Sequence, residues 1–186
     1  DGKLLIMDFQ TGQVVQLLET PNAQVLSVKF NPEGSQLAFG TFEIKEKRGL
    51  VKIFDLKSGQ VVRQFTGHKA GVYDVEFSPD GKLLASAGAD KRLQMWVLEH
   101  PEDLPVVMDD NNGFVWDIAF SGDNNYLLAA SHESEIRVWP TDPQILASQV
   151  CPKMKRNMTL EEWRVYVGED VPYENTCVNI LINDYQ

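Results

Sequence analysis

Cysteine is nearly absent from this chain of 186 residues, with Cys151 and Cys177 the only two. Two are too few for a disulfide scaffold and fit a reducing compartment. Basic residues are also few: Lys plus Arg number 17 against 27 for Asp plus Glu, a formal charge of −10. That sign repels phosphate backbones and anionic lipid, so neither nucleic acid nor membrane is an expected partner. No apolar run approaches the ~20 residues that cross a bilayer, and no basic-then-apolar leader follows Asp1. The expectation is an internal piece of a longer chain, or one whose leader has been removed. His68, His100 and His132 show no ligand spacing with each other or with the cysteines, so no metal is expected. No serine stands in a nucleophile elbow, no glycine-rich phosphate loop occurs, and no motif surrounds a carboxylate pair. The reading is a non-enzyme without cofactor.

What the chain does have is self-similarity, the first thing to settle because missing it misreads a fold. Val72-Tyr73-Asp74-Val75-Glu76-Phe77-Ser78-Pro79-Asp80-Gly81 returns 43 residues later as Val115-Trp116-Asp117-Ile118-Ala119-Phe120-Ser121-Gly122-Asp123-Asn124. It occurs 47 residues earlier as Val25-Leu26-Ser27-Val28-Lys29-Phe30-Asn31-Pro32-Glu33-Gly34, and a second element, Gly49 to Val62, is matched by Gly2 to Val15 at the same offset of 47. Alternating apolar residues such as Val75/Phe77 and Leu93/Met95 predict short antiparallel strands, with Asn31-Pro32-Glu33-Gly34 and Ser78-Pro79-Asp80-Gly81 as tight turns. Four strands every 40-odd residues mark the blade of a β-propeller.

Gly67-His68, Ser86, Asp90 and Trp96 together resemble a WD repeat, and the resemblance extends over residues 1 to 140. It implies that His68, Ser86, Asp90 and Trp96 form one buried hydrogen-bonded chain, a structural network rather than a catalytic one. The neighbouring repeats depart from this set. At the offset of 43 it becomes Asn111, Ala129, Glu133 and Trp139, and the first repeat has Pro21 and Phe39 in place of His68 and Ser86, so those blades are expected to rely on packing alone. The first repeat also carries an insertion, placed in a solvated charged hairpin tip from Phe42 to Arg48. Asp109-Asp110-Asn111-Asn112-Gly113 has a calcium-loop flavour, but Gly113 falls where an oxygen ligand belongs and Phe120 where the terminal Glu should be, so it reads as a polar turn.

The fold class is therefore all-β: WD-repeat β-propeller blades in an incomplete, open arc of about three blades, with a small helical C-terminal extension. The boundaries are a partial blade at 1–18, repeats at about 19–65, 66–108 and 109–140, and an extension over 141–186. A closed propeller needs at least about four blades, so the chain reads as the C-terminal part of a longer propeller, whose remaining blades count among its partners. Blade geometry puts the starts of the inner strands around the central opening, at Leu26, Tyr73 and Trp116, with Phe114 two before Trp116 and Ala89 and His132 in the adjoining turns. Large aromatics at a rim serve either to pack the next blade or to hold a protein or peptide partner.

In the extension, Thr141-Asp142-Pro143 opens a helix carrying Leu146, Val150 and Met154 and ending near Arg156-Asn157. Thr159-Leu160-Glu161-Glu162 is a capping box for a second helix with Leu160, Trp163 and Val167 on one face and Gly168 as its stop. Val178 to Ile182 is a strand or a frayed end. The run from Cys151 through Arg156-Asn157-Met158-Thr159, Glu162-Trp163, Tyr166 and Tyr173 to Thr176-Cys177 resembles the tail of large bacterial signalling proteins that join a caspase-like or other effector to a nucleotide-switch ATPase and a WD-repeat sensor. That resemblance implies a cytoplasmic, ligand-sensing interaction scaffold. From compartment alone, Cys151 and Cys177 are expected to stay thiols; a staple or redox clip is the other reading. A Tol-type or peptidase-associated periplasmic propeller is the alternative function.

Overall fold

A computed structural model describes residues 2–100, 102–109, 111–133, 135–154, 156–166, 172–175 and 177. The backbone divides into two compact units, residues 1–139 and 140–186.

The first unit is built from antiparallel sheets. A two-stranded sheet, β1 (Lys3–Met7) and β2 (Val14–Glu19), precedes blade A, made of β3 (Ala23–Phe30), β4 (Gln36–Glu43), β5 (Arg48–Asp55) and β6 (Gln60–Phe65). Blade B follows with β7 (Val72–Phe77), β8 (Leu83–Gly88), β9 (Leu93–Val97) and β10 (Val106–Met108). Blade C has β11 (Val115–Phe120), β12 (Tyr126–Ser131) and β13 (Ile136–Pro140). Within each sheet strands pair in chain order, because each connection is too short to do anything but reverse the chain.

The turn after each inner strand is the same device three times. The fourth turn residue donates its N–H to the first carbonyl: Gly34 to Asn31 at 2.9 Å, Gly81 to Ser78 at 2.8 Å and Asn124 to Ser121 at 3.0 Å. These fourth residues have φ of 67°, 71° and 62°. Glycine adopts that conformation without steric cost and asparagine tolerates it, so Asn124 preserves the turn.

Alternation then sorts side chains between two faces, and each blade stacks on its neighbour. Leu37, Phe39 and Phe54 of blade A pack with Leu4, Ile6 and Leu18 of the first sheet. The opposite face of blade A, Ala38, Val51 and Ile53, meets Val72, Val75, Phe77, Leu84 and Trp96 of blade B. The far face of blade B, Ala85, Ala87, Leu93 and Met95, meets Val115, Ile118, Leu127 and Ala129 of blade C. At about 25 cal/mol per Å² of apolar surface buried, these interfaces hold the unit together.

Two expectations about the blades are corrected. The hairpin tip of blade A is exposed over residues 44–48, but it is shorter than expected: Phe42 pairs with Gly49 and Glu43 with Arg48, leaving only residues 44–47 as the turn. The longer hairpin is held by a half-sheltered Glu43, whose Oε1 accepts from Lys52 Nζ at 2.9 Å and from Thr41 Oγ1 at 2.9 Å. Nor does blade C rely on packing alone. Asn111, standing where blade B has His68, is buried and donates to Lys91 O at 3.0 Å and Met108 O at 3.3 Å.

The second unit contains α1 (Pro143–Val150), a 3-10 turn (Cys151–Lys153) and α2 (Leu160–Tyr166). Asp142 caps α1, its Oδ1 accepting from Gln144 N at 2.7 Å. The helix ends at Val150 rather than near Arg156-Asn157, because Pro152 has no N–H to donate and its ring crowds the preceding turn. The capping box of α2 forms reciprocally: Glu162 N donates to Thr159 Oγ1 at 3.2 Å and Thr159 N to Glu162 Oε2 at 2.9 Å. The expected contribution of Val167, the stop at Gly168 and the segment Val178 to Ile182 lie outside the described residues.

The thiol reading of the cysteines is overturned. Cys151 and Cys177 form a disulfide, with Cα atoms 5.5 Å apart. Compartment statistics argued for thiols; a tail with few buried side chains among its described residues favours a covalent tie.

Candidate functional site: an aromatic rim over acidic inner strands

The inner strands β3, β7 and β11 lie side by side, and the rim residues sit at their starts. Tyr73 and Trp116 stack, with ring centroids 4.6 Å apart and an interplanar angle of 13°. Phe114 stands edge-on to Trp116 at 6.0 Å and 90° and to Tyr73 at 6.5 Å and 77°. His132 completes the group, 6.5 Å from both Phe114 and Trp116. Four rings contributed by two blades thus form one cluster. Stacked and perpendicular pairs are the arrangements that the ring quadrupole favours.

The cluster is only partly used up by this packing. Tyr73 spends one ring face on blade C, yet Trp116 remains 47% exposed and Phe114 41%. Leu26 and Ala89 flank the rings rather than joining them. The Leu26 side chain lies over Gly71, where an added Cβ would come within 2.9 Å of its Cδ1. Ala89 N donates to Gly71 O at 2.9 Å, and at the matching place in blade C His132 N donates to Phe114 O at 2.9 Å. Main-chain bonds between turn and inner-strand entry therefore set the rim in both blades.

Below the rings the inner strands carry charge. Asp74 is buried; its Oδ1 accepts from Val75 N at 2.9 Å and its Oδ2 from Ile118 N on the next blade at 3.0 Å. Burial, together with a hydrogen bond shared with the Asp117 carboxyl, pushes the pKa of Asp74 up to about 6. Lys29 pairs with Glu76 at 2.8 Å, and this bond to Glu76, with the nearby charges of Asp74 and Asp117, raises the lysine's pKa. Sequence reading missed this layer, although the offset of 43 that equates Tyr73 with Trp116 also equates Asp74 with Asp117.

The structural network sits behind the rim. His68 Nδ1 is 2.9 Å from Asp90 Oδ1 and Nε2 is 2.7 Å from Ser86 Oγ. An ionised carboxylate only accepts, so Nδ1 donates its proton to Asp90. Asp90 also accepts from Lys69 N at 2.8 Å and from Arg92 N. Burial works to raise its pKa, but the bond and charge of His68 and these N–H groups outweigh it and hold the carboxyl below its ordinary value. Trp96 differs from expectation: among the described residues it joins by packing, its ring 4.8 Å from Phe65, and not by a hydrogen bond to Ser86. In the ladder Ser86 faces Gln94 and Trp96 faces Leu84. In blade C the matching Trp139 has a buried indole N–H with no hydrogen-bond partner among the described residues, and Ala129 stands where blade B has its serine.

Among the described residues no cluster of three or more His, Cys, Asp or Glu side chains suits a metal ion, and no helix is long and apolar enough to cross a membrane. No curated protein matches the chain. Residues 59–97 and 105–140 match the family described as WD domain, G-beta repeat. Each match runs from the outer strand of one blade through the first three strands of the next. With the antiparallel sheets stacked face to face, these matches make blades B and C similar to WD-repeat β-propeller blades, and blade A repeats their four-stranded pattern.

Proposed function

We propose that the chain is a non-enzymatic interaction scaffold whose protein or peptide partner docks on the rim formed by Tyr73, Phe114, Trp116 and His132, with Leu26 and Ala89 at its margin. The observation that carries this reading is the half-exposed ring cluster: Trp116 and Phe114 keep large apolar surfaces in solvent where no blade core needs them. With Asp117 and Glu133 nearby and a net charge of −10, the favoured partner presents apolar anchors flanked by basic residues. Tyr73→Ala and Trp116→Ala are expected to weaken binding by about 30-fold or more with the fold intact, as buried aromatic anchors do. Isolation of a partner by pull-down followed by calorimetry on both variants checks this, and two variants that fold and bind like the parent would move the site elsewhere.

A second class of partner is further blades. The far-face positions Leu93 and Met95 of blade B are 0% and 8% exposed beneath blade C, while their repeat equivalents Ile136 and Val138 are 71% and 54% exposed. The same positions that stack B on C are bare on C, which supports a further blade packing against it. The domain reading that goes with it is blades over 1–140 and a helical extension over 141–186.

The tail supports placing this scaffold at the sensing end of a bacterial signal-transduction ATPase, since Arg156-Asn157, Thr159, Glu162-Trp163, Tyr173 and Cys177 match that resemblance. Family matches to WD repeats do not favour a Tol-type or peptidase-associated periplasmic propeller. A cytoplasmic setting requires that the Cys151–Cys177 bond cycle with cellular thiols, because persistent disulfides are rare there.

A further inference from the structure

We propose that Cys151–Cys177 is a reversible dithiol–disulfide site, kept in register by Asn157, that exchanges with small thiols and dithiols. Its support is a clamp on Cys177 that does not involve sulfur. The Asn157 amide donates through Nδ2 to Cys177 O at 3.0 Å and accepts through Oδ1 from Cys177 N at 2.9 Å. Both main-chain groups of Cys177 are therefore held by a side chain that begins six residues after Cys151 and is 3% exposed. Asn157 is itself anchored: Arg156 Nη1 donates to its carbonyl at 3.0 Å and, with Nη2, forks onto Glu162 at 2.6 and 2.7 Å. On its other side Tyr173 Oη donates to Met158 O at 2.7 Å. Opening the sulfur bond removes none of these contacts, so the two thiols stay close enough to re-form it.

Access is asymmetric. Both cysteines line, with Leu146, Val150 and Met154, an apolar cavity of about 370 Å³, but Cys177 is only 4% exposed whereas Cys151 is partly exposed. A thiolate entering there attacks Cys151 Sγ; its sulfur joins Cys151 and Cys177 leaves as thiolate, to be protonated by solvent. A second thiolate, from the same dithiol or a second glutathione, attacks the outer sulfur of the mixed disulfide. Cys151 is freed, both protein sulfurs are reduced, and the two reductant sulfurs end as one disulfide. Oxidised glutathione runs the same steps backwards, with two glutathione thiols released per bond formed.

Clamp and bond are thermodynamically linked: whatever holds Cys177 near Cys151 in the dithiol form raises the effective concentration of one thiol for the other. Asn157 is thus a positioning residue, and its removal shifts a redox equilibrium. The test equilibrates the full chain in reduced and oxidised glutathione over a range of ratios, quenches by alkylation and reads the dithiol fraction by mass. The parent is expected to cross from disulfide to dithiol and back in one reversible step. Asn157→Ala should shift the equilibrium toward dithiol about tenfold or more, as loss of two buried hydrogen bonds implies. Asn157→Asp, which keeps the acceptor and loses the donor, should fall between, and it replaces the alanine variant if that fails to fold. Tyr173→Phe, which removes a bond of the same loop without touching the clamp, should shift it less than about threefold. Asn157 variants that titrate like the parent would overturn the positioning role. A bond that no glutathione ratio opens, or that opens only as amide exchange in α2 rises to unfolded rates, would make it a permanent staple.

Discussion

Asp74 on the inner strand of blade B accepts the N–H of Ile118 on the inner strand of blade C at 3.0 Å, a hydrogen bond that joins two blades through a carboxyl kept largely from water. The groups around it are Asp117, which raises its pKa, and the ion pair of Lys29 with Glu76. Because its folded pKa, about 6, exceeds the ordinary value of 3.8, its stabilising contribution is complete below pH 4 and lost as pH rises through 6. The blades are expected to be less stable at pH 7.5 than at pH 5 by ~1 kcal/mol after allowance for solvent screening. Asp117→Asn, by removing the neighbouring charge, should flatten that slope. Urea titrations of both proteins at the two pH values check it.

His68 and Asn111 hold equivalent places and both are buried, so neither is silent. His68→Ala or Asp90→Ala should cost ~1–3 kcal/mol by stranding buried partners, and Asn111→Ala ~1 kcal/mol through loss of its bonds to Lys91 and Met108. Denaturant midpoints for the three variants, measured on the same day in one buffer, rank them. An Asn111 variant as stable as the parent would show that those two bonds contribute nothing net.

At the start of α2, the Arg156 fork holds Glu162 down to a pKa of about 2, with the Thr159 N–H adding to the effect. A depressed carboxylate stabilises above its unfolded pKa near 4.5 and loses that contribution as pH falls through 2. Glu162→Gln should speed amide exchange in α2 at pH 6 and have little effect at the acid end of that window. Exchange mass spectrometry of the α2 peptide reads both.

The bare face of blade C makes its own forecast. If Ile136 and Val138 await another blade, the chain alone should self-associate through them, and Val138→Lys should return it to monomer without lowering its unfolding midpoint by more than about 0.5 kcal/mol. Sedimentation across a concentration series decides.

The repeat offsets made the blades legible because each sheet is local: strand, turn and strand follow within forty-odd residues, and the turns announce themselves through Pro32, Pro79 and the positive φ of Gly34 and Gly81. Tyr73, Phe114 and Trp116 were found the same way, by counting from the turn. What the offsets do not encode is which equivalent residues touch across blades. Asp74 bonding to Ile118, and Asp117 lying beside Asp74, depend on the stacking of two sheets. The disulfide was misread for a related reason: composition speaks for compartments, whereas pairing is decided by where Asn157 holds Cys177. The hairpin of blade A was misread because alternation through Thr41, Phe42 and Glu43 is masked by the charges that follow.

Ala89 and His132 fasten the rim through main-chain bonds to Gly71 and Phe114, so side chains at 26, 73 and 116 are not what keeps the inner strands in place. Leu26, Tyr73 and Trp116 already show three different letters written on one frame. A surface of this kind can be rewritten one position at a time while the blade beneath keeps its shape, and a library randomised at these three sites should yield mostly folded members whose preferences diverge if the proposed rim is the docking site.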